Sequence, residues 1–229
     1  MCHLDRIIDH RDLHAVALVG GRTECLCPHG RDIEILARSS RQNDASDAGW
    51  VAHTGGDGAT YRFNHKYGFG VADAQSAVAL AKTWTSVGGS GSLVSCERPE
   101  WTRAVNAALA DAPPSGAPTT ASDSITVAGT DCAIRKIEFV EVKLKTTHSY
   151  AGDLRVRLVS PNGLASDLAR ERQCGPTADA CGPFDDWPFG SVRHMDESPV
   201  GSWRLEVTDA VNADSGTWNS WSIRFWGRP

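Results

Sequence analysis

Residues 151–163, with the sequence AGDLRVRLVSPNG, show most directly what kind of fold this chain adopts. Leu154, Val156 and Leu158 alternate with two arginines, which is the period-two pattern of a strand with one buried and one solvated face. The turn sequence Pro161-Asn162-Gly163 follows, in which proline presets φ and Asn-Gly tolerates a positive φ. The stretch therefore predicts a half-buried strand that ends in a tight turn.

The same alternation recurs in residues 137–144, 203–207 and 221–225, where apolar and charged or polar residues take turns. In the first of these runs the alternation slips between Phe139 and Val140, which predicts a β-bulge. Several short antiparallel strands within about 105 residues are typical of a β-sandwich or jelly roll. We therefore expect a mainly β fold with its core in about residues 124–229.

The first half of the chain follows a different period. Apolar residues in 32–40 are spaced three and four apart, and this spacing predicts a short helix. A second helix is predicted within residues 73–84, with Asp73 as its N-cap and an apolar stripe buried by packing. Residues 101–112 suit either a short helix or coil. Residues 87–92 and 113–124 have the composition of a flexible joint and an exposed loop.

Composition excludes two classes of function. The 229 residues include 23 Lys+Arg and 28 Asp+Glu, a net charge of −5, which argues against electrostatic binding of nucleic acid. No apolar stretch approaches the length of about 18 residues that a transmembrane helix needs. Asp5, Asp9 and Asp12 and the short apolar run at 15–19 argue against a signal peptide.

Four of the seven cysteines suit disulfides. Cys174 and Cys181 bracket a short loop rich in glycine, proline and aspartate, a spacing that fits a loop-closing bridge in an oxidising compartment. Cys96 and Cys132 flank a longer stretch and are candidates for a second bridge. The alternative is four reduced thiols in a cytosolic protein.

The first thirty residues are crowded with cysteine and histidine. Thiolate and imidazole are natural zinc ligands, but the Cys-x-Cys-x-His spacing lacks the usual knuckle, so the zinc signal is weak. The residues concerned are Cys2, His3, His10, His14, Cys25, Cys27 and His29.

Long motifs in both halves resemble one protein family. FNHKYGFGVADAQSAVALAKTW at 63–84, with RDIEILARSSRQND before it, resembles the C-terminal end of a subtilisin-type catalytic domain of the kexin and furin branch. Residues 93–227 look like the P domain, or Homo B domain, that follows it in that family. The motifs that resemble the P domain are AGDLRVRLVSPNG at 151–163, FDDWPFGSVRHMDESPVGSWRLEV at 184–207 and GTWNSWSIRFWG at 216–227.

The resemblance implies a division of the chain. Residues 31–86 would be the last part of a subtilisin-like α/β peptidase domain, 87–124 a linker and entry segment, and 93–229 a jelly-roll P domain. It implies proteolysis by a kexin-like serine endopeptidase, with a subtilisin-like catalytic domain as partner in cis and a secreted or cell-envelope setting for full-length relatives. In the family the P domain supports folding of the protease and tunes its stability and its calcium and pH response.

The catalytic groups of such a protease are not found in this sequence. The family's catalytic serine lies in a Gly-Thr-Ser motif upstream of the region matching Arg31, and this motif does not occur in the sequence. We therefore expect no Ser/His/Asp triad and no cleavage by this chain alone. Residues 1–30 resemble nothing in the family. Three explanations compete, and we expect them in this order: a wrong start or frameshift, a natural truncation, or an unrelated N-terminus.

Two histidines and two serines are further candidates for catalysis, with a structural role as the alternative. His65 and His194 are expected to be structural, and a pairing of His194 with Ser191 or Ser198 lacks an orienting acid and an oxyanion hole. A fluorophosphonate probe would test for an unorthodox peptidase.

Acidic and aromatic residues leave two further possibilities open. Four aspartates in turns are candidate Ca²⁺ ligands, with hydrogen bonding to turn amides as the alternative. They are Asp153, Asp185, Asp186 and Asp209. No other cofactor is expected. Five tryptophans can line a carbohydrate-binding face of a free-standing adhesion module, or pack in the core and a domain interface. They are Trp187, Trp203, Trp218, Trp221 and Trp226.

Overall fold

The computed structural model describes residues 30–56, 58–84, 92–174 and 181–229, and side chains in the first helix from Glu34 onward. The predicted zinc ligands and almost all of the predicted joint at 87–92 lie outside the described residues. In chain order the helices and strands are α1 Gly30–Ser39, β1 Val51–Thr54, β2 Thr60–Phe63, α2 Ala74–Thr83, β3 Val94–Cys96, β4 Thr102–Leu109, β5 Thr120–Val127, β6 Lys136–Thr146, β7 Leu154–Val159, β8 Ala165–Ala169, β9 Trp187–Ser191, β10 Gly201–Asp209 and β11 Gly216–Arg228.

The second half of the chain forms a sandwich of two antiparallel sheets. One sheet has the order β5-β10-β7-β8, and the other has the order β3-β11-β6-β9, with β4 also pairing with β11. The predicted alternation places the core between them: the side chains of Leu154, Val156 and Leu158 are all fully buried, as are those of Trp203 and Phe225. This confirms the mainly β fold expected from the period-two pattern.

The turn after β7 forms as predicted. Gly163 donates its N–H to Ser160 O at 2.9 Å and has a φ of +81°, a conformation that glycine adopts without strain.

The bulge in β6 lies close to its predicted position. Opposite β11, Trp226 pairs with Phe139 and Gly227 with Ile137, so that Glu138 is the extra residue. Ile137 and Val140 therefore both face the core, while Phe139 turns outward against the ring of Trp226.

Two stretches, one predicted as a short helix or coil and the other as an exposed loop, are strands. Residues 102–109 form β4, which pairs with the N-terminal half of β11, and residues 120–124 begin β5, which pairs with β10. Burial alternates along β5, but most of its residues are small and polar, so its sequence shows no apolar period. In β4 the strand is interrupted at Asn106, which takes a φ of +51°. Tertiary pairing decides these strands, and local pattern does not.

The N-terminal part, residues 30–84, consists of α1, the hairpin β1-β2 and α2. The Asp73 side chain accepts from Ser76 N at 3.0 Å, which confirms the predicted N-cap of α2. The packing expected for the apolar stripe of α2 does not occur: no residue of this helix is buried, and Val78 is 43% exposed. Among the described residues, no helix is long and apolar enough to cross a membrane.

Candidate functional site

The N-terminal part meets the sandwich at the turn between β9 and β10. His53 on β1 approaches the carbonyl of Met195 with its Nε2 at 2.9 Å, and Gly56 donates its N–H to Asp196 O at 3.0 Å. Ala37, Tyr61 and Met195 form a small apolar core of their own at this contact. We call the contact between residues 30–63 and the turn at 192–197 the junction.

Tyr61 is the centre of the junction. Its side chain is 0% exposed and stacks on the ring of His53 at 5.2 Å. Its hydroxyl accepts from Arg38 Nε at 3.0 Å and lies 3.4 Å from Glu34 Oε1, to which it can donate. Burial raises the pKa of Tyr61 far above its ordinary value, so the hydroxyl keeps its proton.

Charged groups surround Tyr61 in balanced numbers. Three carboxylates and three cations line the junction and a small cavity beside it. Arg38 Nη2 lies 2.6 Å from Glu34 Oε1, and Lys136 Nζ lies 3.1 Å from Asp196 Oδ1. Arg228 bridges the two parts of the chain, since it pairs with Glu138 and reaches Glu34 Oε2 at 3.7 Å. Buried pairs of this kind fix one relative placement, because removal of one partner leaves a buried charge.

Two backbone features let Asp196 enter the junction. Asp196 has a φ of +65°, a left-handed conformation that aspartate tolerates better than most residues. Gly55 packs directly against its carboxylate, and a Cβ at that position would collide with Oδ2. The close approach therefore requires glycine at 55.

A second set of hydrogen-bonded polar side chains lies at the turn 192–197. His194 is 0% exposed and binds Glu197 Oε2 through Nδ1 at 2.8 Å, while Ser160 and Asn162 donate to Glu197 Oε1 at 3.0 and 3.1 Å. Burial lowers the pKa of His194 despite the Glu197 carboxylate, and Nε2 is buried with no hydrogen-bond partner. The ring is therefore neutral, with its proton on Nδ1.

The structure places the remaining candidate histidine and serines apart from one another. His65 lies at the edge of the sandwich, near Asp167, and makes an edge contact with Phe63. Ser191 Oγ pairs with Ser166 Oγ at 2.9 Å, and Ser198 Oγ accepts from Val200 N at 3.2 Å. Among the described residues, no hydrogen bond joins His194 to either serine.

The four aspartates proposed for calcium fall into two pairs with different partners. Asp209 accepts from the buried ring of His148 at 2.9 Å, and the pKa of nearby Asp153 is raised by burial and then by the charge of Asp209. Asp185 and Asp186 are exposed and pair with Lys145. In the described part of the chain no three His, Cys, Asp or Glu side chains form a group that could hold a metal ion.

The structure also shows where the cysteines and tryptophans of the sequence predictions lie. Cys96 is joined to Cys132, and Cys174 to Cys181, with Cα–Cα distances of 5.7 and 5.2 Å. Trp203, Trp218 and Trp221 are at most 1% exposed, so they cannot line a carbohydrate-binding face. Of the five tryptophans proposed for such a face, only Trp187 is well exposed, at 53%.

Sequence reasoning missed the residues that build the junction. The residues come from distant parts of the chain, and only one pair among them is close in sequence. They are Glu34 and Arg38, which are four positions apart, and Tyr61, Asp196 and Arg228. Glu34 and Arg38 lie inside the motif at 31–44, and Asp196 lies inside the motif at 184–207, so these two motifs were the available signals.

Comparison with known proteins gives a consistent likeness. Residues 137–225 match the family described as "Proprotein convertase P-domain". The chain is 29% identical over 209 residues to human "Proprotein convertase subtilisin/kexin type 6" and 28% identical over 201 residues to "Protease KEX1" of Kluyveromyces lactis. Each match covers 86% of this chain but 20% and 24% of the relative, so the chain spans about a fifth to a quarter of their length.

A solved structure supports the fold. The serine protease of Aeromonas sobria, in complex with its chaperone, superposes with a TM-score of 0.60 at 24% identity. The superposition covers 87% of this chain and 40% of that protein. Since 87% of 229 residues is more than the sandwich alone, the likeness extends into the N-terminal part.

Proposed function

Residues 137–225 form a P domain of the furin and kexin kind, and from this premise we propose that the chain is the accessory part of a subtilisin-like serine endopeptidase. In this proposal the sandwich docks on the catalytic domain and supports its folding. Residues 31–86 are the last segment of that catalytic domain, 87–124 the connection, and 93–229 the P domain.

The junction is the observation that carries this proposal. Tyr61, Arg38 and Glu34 attach residues 30–63 to the sandwich through buried hydrogen bonds and ion pairs. Elsewhere in the N-terminal part, α2 has no buried residue, and Val51 and Val71 are 42% and 44% exposed. One side of the N-terminal part is thus fixed to the sandwich while another presents apolar surface, as expected of a segment held between two bodies.

We further propose that the chain does not hydrolyse peptides by itself. Acyl transfer needs a nucleophile, a base within hydrogen-bond reach and an oxyanion hole. The rings of His148 and His194 are 0% exposed and are occupied by Asp209 and Glu197, so neither can serve a substrate. A serine-directed fluorophosphonate probe should leave the purified chain unlabelled, and stoichiometric labelling would contradict the proposal.

The two disulfides support a secreted or cell-envelope location for the protein. Cys96–Cys132 and Cys174–Cys181 form and persist in an oxidising compartment and are rare in the cytosol. Thiol labelling of the protein from its native host, with and without prior reduction, would test the location: four additional reactive thiols are expected after reduction.

Production of a kexin-type catalytic domain with and without this chain tests the accessory role. We expect the chain to increase the yield of active protease, measured with a fluorogenic peptide that ends in basic residues. Gly55→Ala should abolish the gain, because the new Cβ collides with Asp196. Gly129→Ala is the matched control, since a Cβ there meets nothing within 4 Å.

Equal yields with and without the chain would contradict the accessory role. Binding to a glycan array by the chain alone would favour the alternative of a free-standing carbohydrate-binding module. The burial of three of the five tryptophans disfavours that alternative.

A further inference from the structure

Arg193 is a buried cation without a counterion. It lies between β9 and β10, and it is 3% exposed. Its Nε and Nη1 are buried and have no hydrogen-bond partner, and no ion pair to it is formed by the described residues. Its guanidinium carbon lies 5.0 Å from the centroid of the Phe63 ring. An unpartnered buried charge is costly, and burial accordingly lowers the pKa of Arg193.

More positive charge stands around Arg193 at the surface. Arg157 on β7 and Arg170 after β8 approach the carboxylate of Asp167 at 3.7 and 2.6 Å, and His65 Nε2 lies 3.9 Å from it. The rim is accessible, because the side chains of Arg157 and Arg170 are 49% and 60% exposed.

The charges of this cluster do not balance. Asp167 supplies one negative charge against the three guanidinium groups of Arg157, Arg170 and Arg193. The other nearby carboxylate, Glu197, is occupied by His194, Ser160 and Asn162. The pKa of His65 is lowered by burial and by the three arginines, so its ring adds no charge near neutral pH. Since those partners of Glu197 are neutral, its carboxylate still counts, and the cluster carries an excess of one positive charge.

We propose that this cluster is a binding site for a small oxyanion, with Arg193 at its base and Arg157 and Arg170 at its rim. The planar guanidinium donors match the paired oxygens of phosphate, sulfate or carboxylate. Phe63 fixes the plane of the Arg193 guanidinium, so little freedom is lost when an anion binds. A bound oxyanion would give the unused donors of Arg193 a partner and neutralise the excess charge. The site does not depend on the accessory role proposed above.

Thermal unfolding of the 229-residue chain in sodium sulfate, against sodium chloride of equal ionic strength, tests the site. At sulfate ten times above Kd, specific binding should raise the Tm by about 3–6 °C. Sulfate also stabilises proteins non-specifically, so the comparison that decides is between variants. Arg193→Met should remove the specific part of the rise and should fold, because it replaces an unpartnered cation by an apolar chain.

Arg103→Met is the matched control, since Arg103 is a half-exposed arginine on β4 that pairs with Asp123. This variant should keep the full rise. Equal rises in wild type, Arg193→Met and Arg103→Met would overturn the proposal. If Arg193→Met does not fold, Arg157→Gln at the exposed rim should lower sulfate affinity at least about threefold by calorimetry, and an unchanged affinity would overturn the proposal.

Parallel titrations with phosphate and with acetate separate the possible sources of the oxyanion. A response to phosphate and sulfate alone identifies a free tetrahedral anion. A response to acetate that Arg193→Met removes identifies a carboxylate. No response to any of the three would refute the site.

Discussion

Replacement of Tyr61 should release the N-terminal part from the sandwich without unfolding the sandwich. Tyr61→Phe keeps the ring and its stacking on His53 but removes the hydroxyl that accepts from Arg38 at 3.0 Å. Tyr61→Ala removes both. Because the side chain is fully buried between the two parts, each substitution should lower the free energy needed to open the junction.

The size of the effect follows from these contacts. A hydrogen bond from a charged donor contributes about 1.5–3 kcal/mol, so Tyr61→Phe should make the junction open about 10 to 150 times more often. Loss of a whole buried aromatic side chain costs about 3–5 kcal/mol, so Tyr61→Ala should leave the junction largely open.

Hydrogen exchange followed by mass spectrometry is the assay. Peptides from α1, β1 and β2 should exchange faster in both variants, whereas peptides from β10 should keep their protection. Tyr67→Phe is the matched control, because Tyr67 lies in the N-terminal part and its ring stacks on Trp50. Equal exchange in Tyr61→Phe and Tyr67→Phe would refute the role of the hydroxyl. An equal loss of protection in β10 would show that the two parts unfold as one unit.

Three further predictions concern the sandwich. Acidification should destabilise the protein, because burial lowers the pKa of His194 from 6.5. The contribution of the neutral ring to the free energy of unfolding is full above about pH 6.5 and is lost as the pH falls below that value. The urea midpoint should therefore fall with pH, and His194→Gln should flatten this fall. Trp203→Ala should cost about 3–5 kcal/mol in denaturant titrations, because the side chain is 0% exposed. Replacing both Cys96 and Cys132 by serine should cost about 4 kcal/mol, since the bridge closes a loop of 36 residues.

Each of these has a result that would contradict it. A wild-type midpoint that stays constant from about pH 7 to 5 would mean that His194 is not held neutral. A loss below about 1 kcal/mol for Trp203→Ala would mean that the core closes around the gap. An unchanged Tm for the double serine variant would place the bridge outside the cooperative unit.

The sequence by itself determined the strands whose two faces differ. Leu154, Val156 and Leu158 could point only inward, because the arginines between them must reach water, and the same reasoning placed Trp203 and Phe225 in the core. Local chemistry also determined the Asp73 cap and the turn at Asn162-Gly163, since each depends on residues within four positions of one another.

Only the tertiary structure decided what depends on residues far apart in the chain. β4 and β5 are strands because β11 and β10 supply their hydrogen bonds. Tyr61 and Asp196, which are 135 positions apart, meet because the hairpin β1-β2 lies on the turn between β9 and β10. No periodicity records such a meeting, because a buried polar contact depends on the position of its partner in space and leaves no repeating pattern in the chain.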